Sequence, residues 1–391
     1  MAIPERQAED HPPAATKATA RGHLAFLDSL RALAALNVVL DHAFFQVNFS
    51  GANLSAMEIS LGRLLSYGHY SVDLFIVLSG YCLALPIVTG TGALPGGALD
   101  FFRRRAIRII PPYFFAMGLS LGLIWLCIGK PTGSGYWDST LPITPFGILT
   151  HLLLIQDVFP STYSKINYAF WSISVEWRIY FLFPLLVWAR SRFGVVTMAI
   201  ACIAASLVLF FALTLFLHDN LTSEYVGLFA LGILAADVAF SPTAWAEQSR
   251  RRRWGMWTVI LSVIVLLLTF VPVWHGRPFP LKLADYIVGA WAFALLVWAT
   301  DRTSLLHRCL TLRWLAFIGT FAYSIYLIHA PLLAVLWQYV LEPIHLPPRT
   351  AYLALNFLGI PAIVLASYIF FLLFEQPFIR RRNPKPMVPA Q

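Results

Sequence analysis

Residues 194–217 read GVVTMAIACIAASLVLFFALTLFL, a run without a charged side chain and about as long as a helix needs to cross the hydrocarbon of a bilayer. Similar runs recur near 24–47, 70–90, 107–129, 167–189, 224–240, 255–274, 283–300, 314–340 and 350–374, making ten. Of the 391 residues, 59% are hydrophobic and 12% charged, against roughly 45–50% and 25% in soluble domains. So much apolar surface does not fit inside soluble cores, which excludes an ordinary cytosolic enzyme. The fold class is an all-α polytopic integral membrane protein of about ten transmembrane helices. One further apolar stretch, 145–159 (PFGILTHLLLIQDVF), is too short for a crossing and reads as a re-entrant or interfacial segment bounded by Pro145 and Pro160.

The net charge of +9 raises the question of a nucleic-acid partner, and the placement of the basic residues answers it. With ten spans and both ends on one side, that side carries 20 of the 28 Lys and Arg, the other side six, and Arg31 and Arg178 lie within spans. The positive-inside bias puts both ends in the cytoplasm, so the charge marks topology and no nucleic acid is expected. The Pro/Ala-rich residues 1–22 read as a disordered cytoplasmic tail, 23–376 as one transmembrane domain and 377–391 as a basic cytoplasmic tail. The four cysteines, Cys82, Cys127, Cys202 and Cys309, form no Cys-x-x-Cys pair, so neither a disulfide framework nor a metal site is expected.

Titratable groups inside a span are costly and mark candidate chemistry. In RALAALNVVLDH (31–42), Arg31 and His42 are eleven residues apart, which brings them within about 20° of one helix face and separates them by about 16 Å along the axis. Asp28 shares that stripe, whereas Asp41 points about 100° away from His42. Such a stripe suits a molecule lying along the helix. SVDLFIVLSGY (71–81) adds Asp73 and the small pair Ser79-Gly80, which allows close helix or ligand approach. In FFRRRAIRIIPPYF (101–114), Arg103, Arg104, Arg105 and Arg108 form a dense cationic patch whose planar forks suit phosphate groups. FWSISVEWRIYF (170–181) sets Ser172, Glu176 and Tyr180 on one face, with Trp171 and Arg178 nearby. In YSIYLIHAP (323–331), Tyr326 precedes His329 by three. Arg31, His42, Asp73, Glu176 and Arg178 are expected to share one polar interior.

Taken together, FLDSLRALAALNVVLDHAF, SVDLFIVLSGY, FFRRRAIRIIPPY, FWSISVEWRIYFLFPLL, IGTFAYSIYLIHAPLL and FEQPFIRRR, in that order over nearly the whole chain, resemble the membrane-bound acyltransferase-3 family of O-acyltransferases, which modify extracytoplasmic glycans and some small natural products. The resemblance implies transfer of an acyl group, acetyl foremost, from cytoplasmic acyl-CoA to a hydroxyl on the outer side, in a bacterial cytoplasmic (inner) membrane. Acyl-CoA is then a co-substrate, with no permanently bound cofactor; the other partners are a glycan or other hydroxyl acceptor and membrane lipids. His42 is the expected catalytic base, with Glu176 or Asp41 orienting its ring. Arg31, Arg103, Arg104, Arg105, Arg108, Tyr113 and Ser79 are the expected acyl-CoA contacts. Asp73, Trp171, Arg178, Tyr326 and His329 complete the polar interior. Arg178 is charged, and Asp41 stands beside the histidine, where the family's pattern leads us to expect otherwise. A covalent acyl intermediate on His42 or Ser79 is a variant mechanism. The competing classes are acylation of a small natural product such as a macrolide, a secondary transporter of a small anion and a membrane scaffold. The halves 24–217 and 224–374 carry no convincing internal repeat, and a scaffold leaves the Arg31–His42 stripe without a role.

Overall fold

Each of the ten apolar segments is helical over most of its length, because a backbone in hydrocarbon must satisfy its own hydrogen bonds. The computed structural model describes residues 15–47, 55, 62, 67–133, 135–216, 222–270 and 278–380, and among them there is no strand. The longer helices are α1 (Ala15–Gln46), α2 (His69–Val88), α3 (Gly97–Leu123), α4 (Pro145–Leu152), α5 (Trp171–Phe193), α6 (Val195–Phe216), α7 (Glu224–Phe240), α8 (Trp254–Leu268), α9 (Pro278–Thr300), α10 (Arg313–Gly319), α11 (Ala322–Leu336) and α12 (Ile360–Phe370). Among the described residues seven helical stretches are long and apolar enough to cross a membrane, or eight if α7 and Ala244–Arg250, bent by 93°, form one broken span. Three of the ten expected spans fall short of that measure by themselves, for plain reasons. Helix α1 carries Asp28, Arg31 and Asp41, α7 alone has 17 residues, and α8 has only 15.

Helix α1 starts at Ala15, inside the tail expected over 1–22. Its opening, ATKATARG, is rich in good helix formers and free of proline, so nothing stops the helix short of the span. Residues 1–14 and 381–391, which hold the rest of the two expected tails, lie outside the described residues.

Helix α2 lies at the centre of the bundle, with most of its side chains buried, Asp73, Ile76, Val77 and Tyr81 among them. It meets α7 through a pair of glycines: a Cβ on Gly80 would stand 2.1 Å from the Phe229 carbonyl oxygen, and one on Gly232 would stand 2.0 Å from that of Val77. Close backbone approach of this kind is how small residues join membrane helices, and it gives the Ser79-Gly80 pair its structural role. Helix α10 crosses α1 just as tightly, since a Cβ on Gly319 would meet the Asp28 carbonyl oxygen at 1.9 Å. Helices α6 and α8 turn Val208, Leu209, Phe211, Trp257, Val259 and Val263 outward, as lipid-facing surfaces do.

The 145–159 segment does not span. The Thr144 hydroxyl caps α4 by accepting the Gly147 N–H at 3.0 Å, and α4 is followed by a single 3₁₀ turn, Gln156–Val158. Phe146, Leu149, Leu152 and Leu153 are exposed along it while His151 and Asp157 are buried, the pattern of an interfacial segment.

Candidate active site

Two histidines from opposite ends of the chain meet at the core of the site. His42 near the end of α1 and His329 in α11 face each other with ring planes parallel to within 2° and centroids 5.0 Å apart. His42 Nδ1 lies 2.7 Å from His329 Nε2. The second nitrogen of His329, Nδ1, lies 2.8 Å from the Tyr326 carbonyl oxygen and 3.1 Å from that of Ile325. Carbonyl oxygens only accept, so His329 Nδ1 carries hydrogen, and its Nε2 is left to accept. His42 Nδ1–H must then donate to it, which leaves the lone pair of His42 on Nε2. The α11 backbone thus assigns the tautomer of both rings, and His42 Nε2 is the free base. Tyr136 and Tyr168 stand edge-on to the His42 ring at 5.2 and 4.7 Å, and Asp41 Oδ2 lies 3.7 Å from Nε2, too far for a hydrogen bond.

A cavity of about 640 Å³ opens beside α1, lined by Leu27, Asp28 and Arg31 but not by His42. Its cations are Arg31, Arg105 and Arg108. Arg31 donates to Asp28, three residues before it, at 2.6 Å and to the Cys82 sulfur at 3.0 Å. The Arg105 guanidinium lies 5.9 Å from the ring centres of both Phe101 and Tyr180, which hold it by cation–π contact. Glu176 lines the same cavity, accepting from Tyr180 at 2.5 Å, and the Tyr180 and Ser79 hydroxyls are 3.1 Å apart. Ser172 and Tyr326, joined by a 2.6 Å hydrogen bond between hydroxyls, form a further part of the lining. The Tyr326 ring lies 5.8 Å from that of His329, so Tyr326 is the wall between cavity and histidine pair.

Several expected contacts lie elsewhere. Arg103 is exposed, and Arg104 is paired with Asp100 and donates to the Pro95 carbonyl at 2.8 Å; neither lines the cavity. Helical register turns Arg103 to the side opposite Phe101, Arg105 and Arg108, whereas Arg104, one turn from Arg108, is held off the cavity by Asp100 and the Pro95 carbonyl. Tyr113 is fully buried off the cavity, donating to the His151 carbonyl at 3.2 Å and accepting from Gln156 at 3.3 Å, where it ties α3 to the interfacial segment. Glu176 stands on the cavity and is not among the partners of the His42 ring. Asp73 is fully buried in α2 away from the cavity lining. Trp171 stacks on Tyr163 with centroids 5.2 Å apart. Arg178 pairs with the buried Asp157, which also accepts from Ser174 at 2.7 Å, so this charge fastens the 3₁₀ turn to α5. The single polar interior expected from the sequence is therefore divided among the histidine pair, the Arg31 cavity and the Asp157–Arg178 pair, because each group takes the partner its own helix face meets.

The sequence reading missed Asn167. Pro331 has no N–H, which leaves the Leu327 carbonyl without its helical donor, and Asn167 Nδ2 supplies one at 3.0 Å. Its Oδ1 accepts the Ala169 N–H at 3.0 Å, so one buried amide links the start of α5 to the turn that holds His329. Proline inside an apolar helix was the available signal. Glu375 was missed as well; it is buried and accepts from Ser324 in α11 at 2.5 Å.

Compared with known families, residues 24–374 match the acyltransferase domain of acyltransferase-3. The chain belongs to this family. Among curated relatives, it is 30% identical to the acyltransferase MdmB of Streptomyces mycarofaciens over 42% of this chain and 38% of that protein. It is 22% identical to the putative peptidoglycan O-acetyltransferase YrhL of Bacillus subtilis over 78% of this chain and 48% of that protein. It is 24% identical to the O-acetyltransferase OatA of Staphylococcus aureus over 82% of this chain and 52% of that protein. The chain thus spans about half the length, or less, of the curated relatives it matches. No solved structure matches it. Membership in the acyltransferase-3 family agrees with the order of motifs read from the sequence, and with the helical membrane fold that holds them.

Proposed function

We propose that this chain is an acyl-CoA-dependent O-acyltransferase that moves an acetyl group from cytoplasmic acyl-CoA to a hydroxyl of an extracytoplasmic sugar, in the cytoplasmic membrane of a bacterium. The observation that carries the reading is the cavity that joins Arg31, Arg105 and Arg108 to Tyr326, one turn before the histidine that orients His42. The CoA phosphates rest on Arg105 and Arg108, and the pantetheine arm passes Arg31, which lies about 16 Å from His42 along α1. Relatives named as O-acetyltransferases support acetyl as the group transferred. Both chain ends and the arginine end of α3 face the cytoplasm in this reading, in keeping with the charge bias.

His42 Nε2 takes the proton of the acceptor hydroxyl as its oxygen attacks the thioester carbonyl. The imidazolium keeps its Nδ1–H bond to neutral His329, whose own Nδ1–H stays on the α11 carbonyls. Collapse of the tetrahedral adduct expels the CoA thiolate, which takes the proton back from His42. The test is CoA release by the purified full chain given acetyl-CoA and acceptor. His42→Ala should lose transfer while still binding acetyl-CoA, and undiminished transfer by that variant would reject the role of His42.

A further inference from the structure

Buried polar atoms without a partner are rare in folded proteins, and among the described residues three side chains near His42 carry them. Asp41 is 3% exposed and its Oδ1 has no partner among the described residues, while the Gly68 N–H bonds the carboxyl group. Gln46 is 1% exposed, and neither its Oε1 nor its Nε2 has a partner among them. Tyr168 is 5% exposed, its ring is 4.7 Å from that of His42, and its hydroxyl has no partner among the described residues. Gln46 is one turn beyond His42 on the same face of α1, and Asp41 flanks the histidine on the other side. None of the three lines the cavity that holds Arg31.

Resting on the acyltransfer reading above, we infer that Asp41, Gln46 and Tyr168 form the acceptor subsite around His42 Nε2, and that it takes a polyhydroxylated ring, a sugar, in preference to a simple alcohol. The donor and acceptor pattern fits that ligand. The Asp41 carboxyl presents an accepting oxygen, the Tyr168 hydroxyl donates, and the Gln46 amide does both, while each sugar hydroxyl donates and accepts. One hydroxyl faces Nε2 for acylation and its neighbours satisfy the other three groups. A mono-alcohol leaves those groups unpaired in the bound state, and that penalty is the basis of selection. The half-buried Tyr136 ring, 5.2 Å from that of His42, supplies an apolar wall for the C–H face of the sugar.

The test uses the purified full chain in proteoliposomes with acetyl-CoA, reading CoA release with methyl pyranosides of gluco, galacto and manno configuration and with cyclohexanol. Wild type should prefer its best pyranoside over cyclohexanol about tenfold or more in kcat/KM. Asp41→Asn, Gln46→Leu and Tyr168→Phe should each raise the pyranoside KM about tenfold, leaving the KM for acetyl-CoA within about twofold, and Gln46→Leu and Tyr168→Phe should leave cyclohexanol turnover within about twofold as well. An unchanged KM for acetyl-CoA separates loss of the subsite from loss of the fold. Equal turnover of pyranoside and cyclohexanol by wild type, or an unchanged preference in all three variants, overturns the inference alone. A wild type that releases no CoA with any acceptor overturns the acyltransfer reading, and the inference with it.

Discussion

Replacing His329 by alanine tests the step from geometry to chemistry most directly, since His329 is taken here to be a positioning residue with no contact to substrate. The substitution removes the acceptor of the His42 Nδ1–H bond, 2.7 Å long in a buried setting. An unpaired buried donor costs about 1–3 kcal/mol, and more once the ring is charged, as it is when His42 holds the acceptor's proton. The loss also frees the imidazole to place hydrogen on Nε2, which is the wrong tautomer for a base. At about 1.4 kcal/mol per factor of ten, kcat should fall about 10- to 100-fold from the bond alone and further from the tautomer. The cavity that carries Arg31, Arg105 and Arg108 does not include His329, so acetyl-CoA binding should be unchanged. His329→Gln, whose amide oxygen reaches near the position of Nε2, should recover part of the lost kcat. The assay pairs CoA release under saturating acetyl-CoA with a direct binding titration. Full kcat in His329→Ala would refute the relay, and so would a variant that loses acetyl-CoA affinity while keeping kcat.

Arg105→Glu and Arg108→Glu should each weaken acetyl-CoA binding about tenfold or more, whereas Arg103→Glu, outside the cavity, should change it by less than about twofold in the same titration. Arg178→Gln leaves the buried Asp157 carboxylate without its cation; with the arginine 35% exposed the cost is about 1–3 kcal/mol, seen as a lower melting temperature that Asp157→Asn partly restores in the double variant. Burial pushes the His151 ring down from 6.5 to about 4 against the pull of backbone carbonyls. Between those values the unfolded chain binds a proton that the folded chain does not, so stability falls as pH drops from about 6.5 toward 4, by at most about 3 kcal/mol. His151→Gln should flatten that part of the profile relative to wild type in thermal melts. Gly80→Ala sets a methyl against the Phe229 carbonyl, which is backbone and has no room to give, so the melting temperature should fall markedly; a variant as stable as wild type would show that α2 and α7 separate at little cost.

Features that depend on spacing along one helix were legible in advance. The Asp28–Arg31 pair is three residues apart and Glu176–Tyr180 four, so helical periodicity alone brings them together. The position of Arg31 and His42 on one stripe follows in the same way. Partners on different elements were not legible. Nothing local to His42 points to a residue 287 positions away, and the stretch around His329 shows only that Tyr326 precedes it by three. Arg178 found Asp157 across the turn before α5, which a search confined to helices misses. The arginine cluster was visible as a cluster, but which two of four face the cavity depends on how α3 is rotated against its neighbours.

The sequence by itself determined the membrane-embedded helical class, the sidedness expected from charge, the family, and the residues costly enough in hydrocarbon to suggest chemistry. Those conclusions rest on composition and on periods of three to four residues, both of which are local. Only the tertiary structure decided that His42 pairs with His329, that Arg105 and Arg108 face the cavity while Arg103 and Arg104 do not, and that Tyr326 stands between cavity and histidines. Each of these depends on the rotation and crossing of helices far apart in the chain, set by contacts such as Gly80 with Gly232 and Gly319 with Asp28, where a single methyl group decides how near two backbones come.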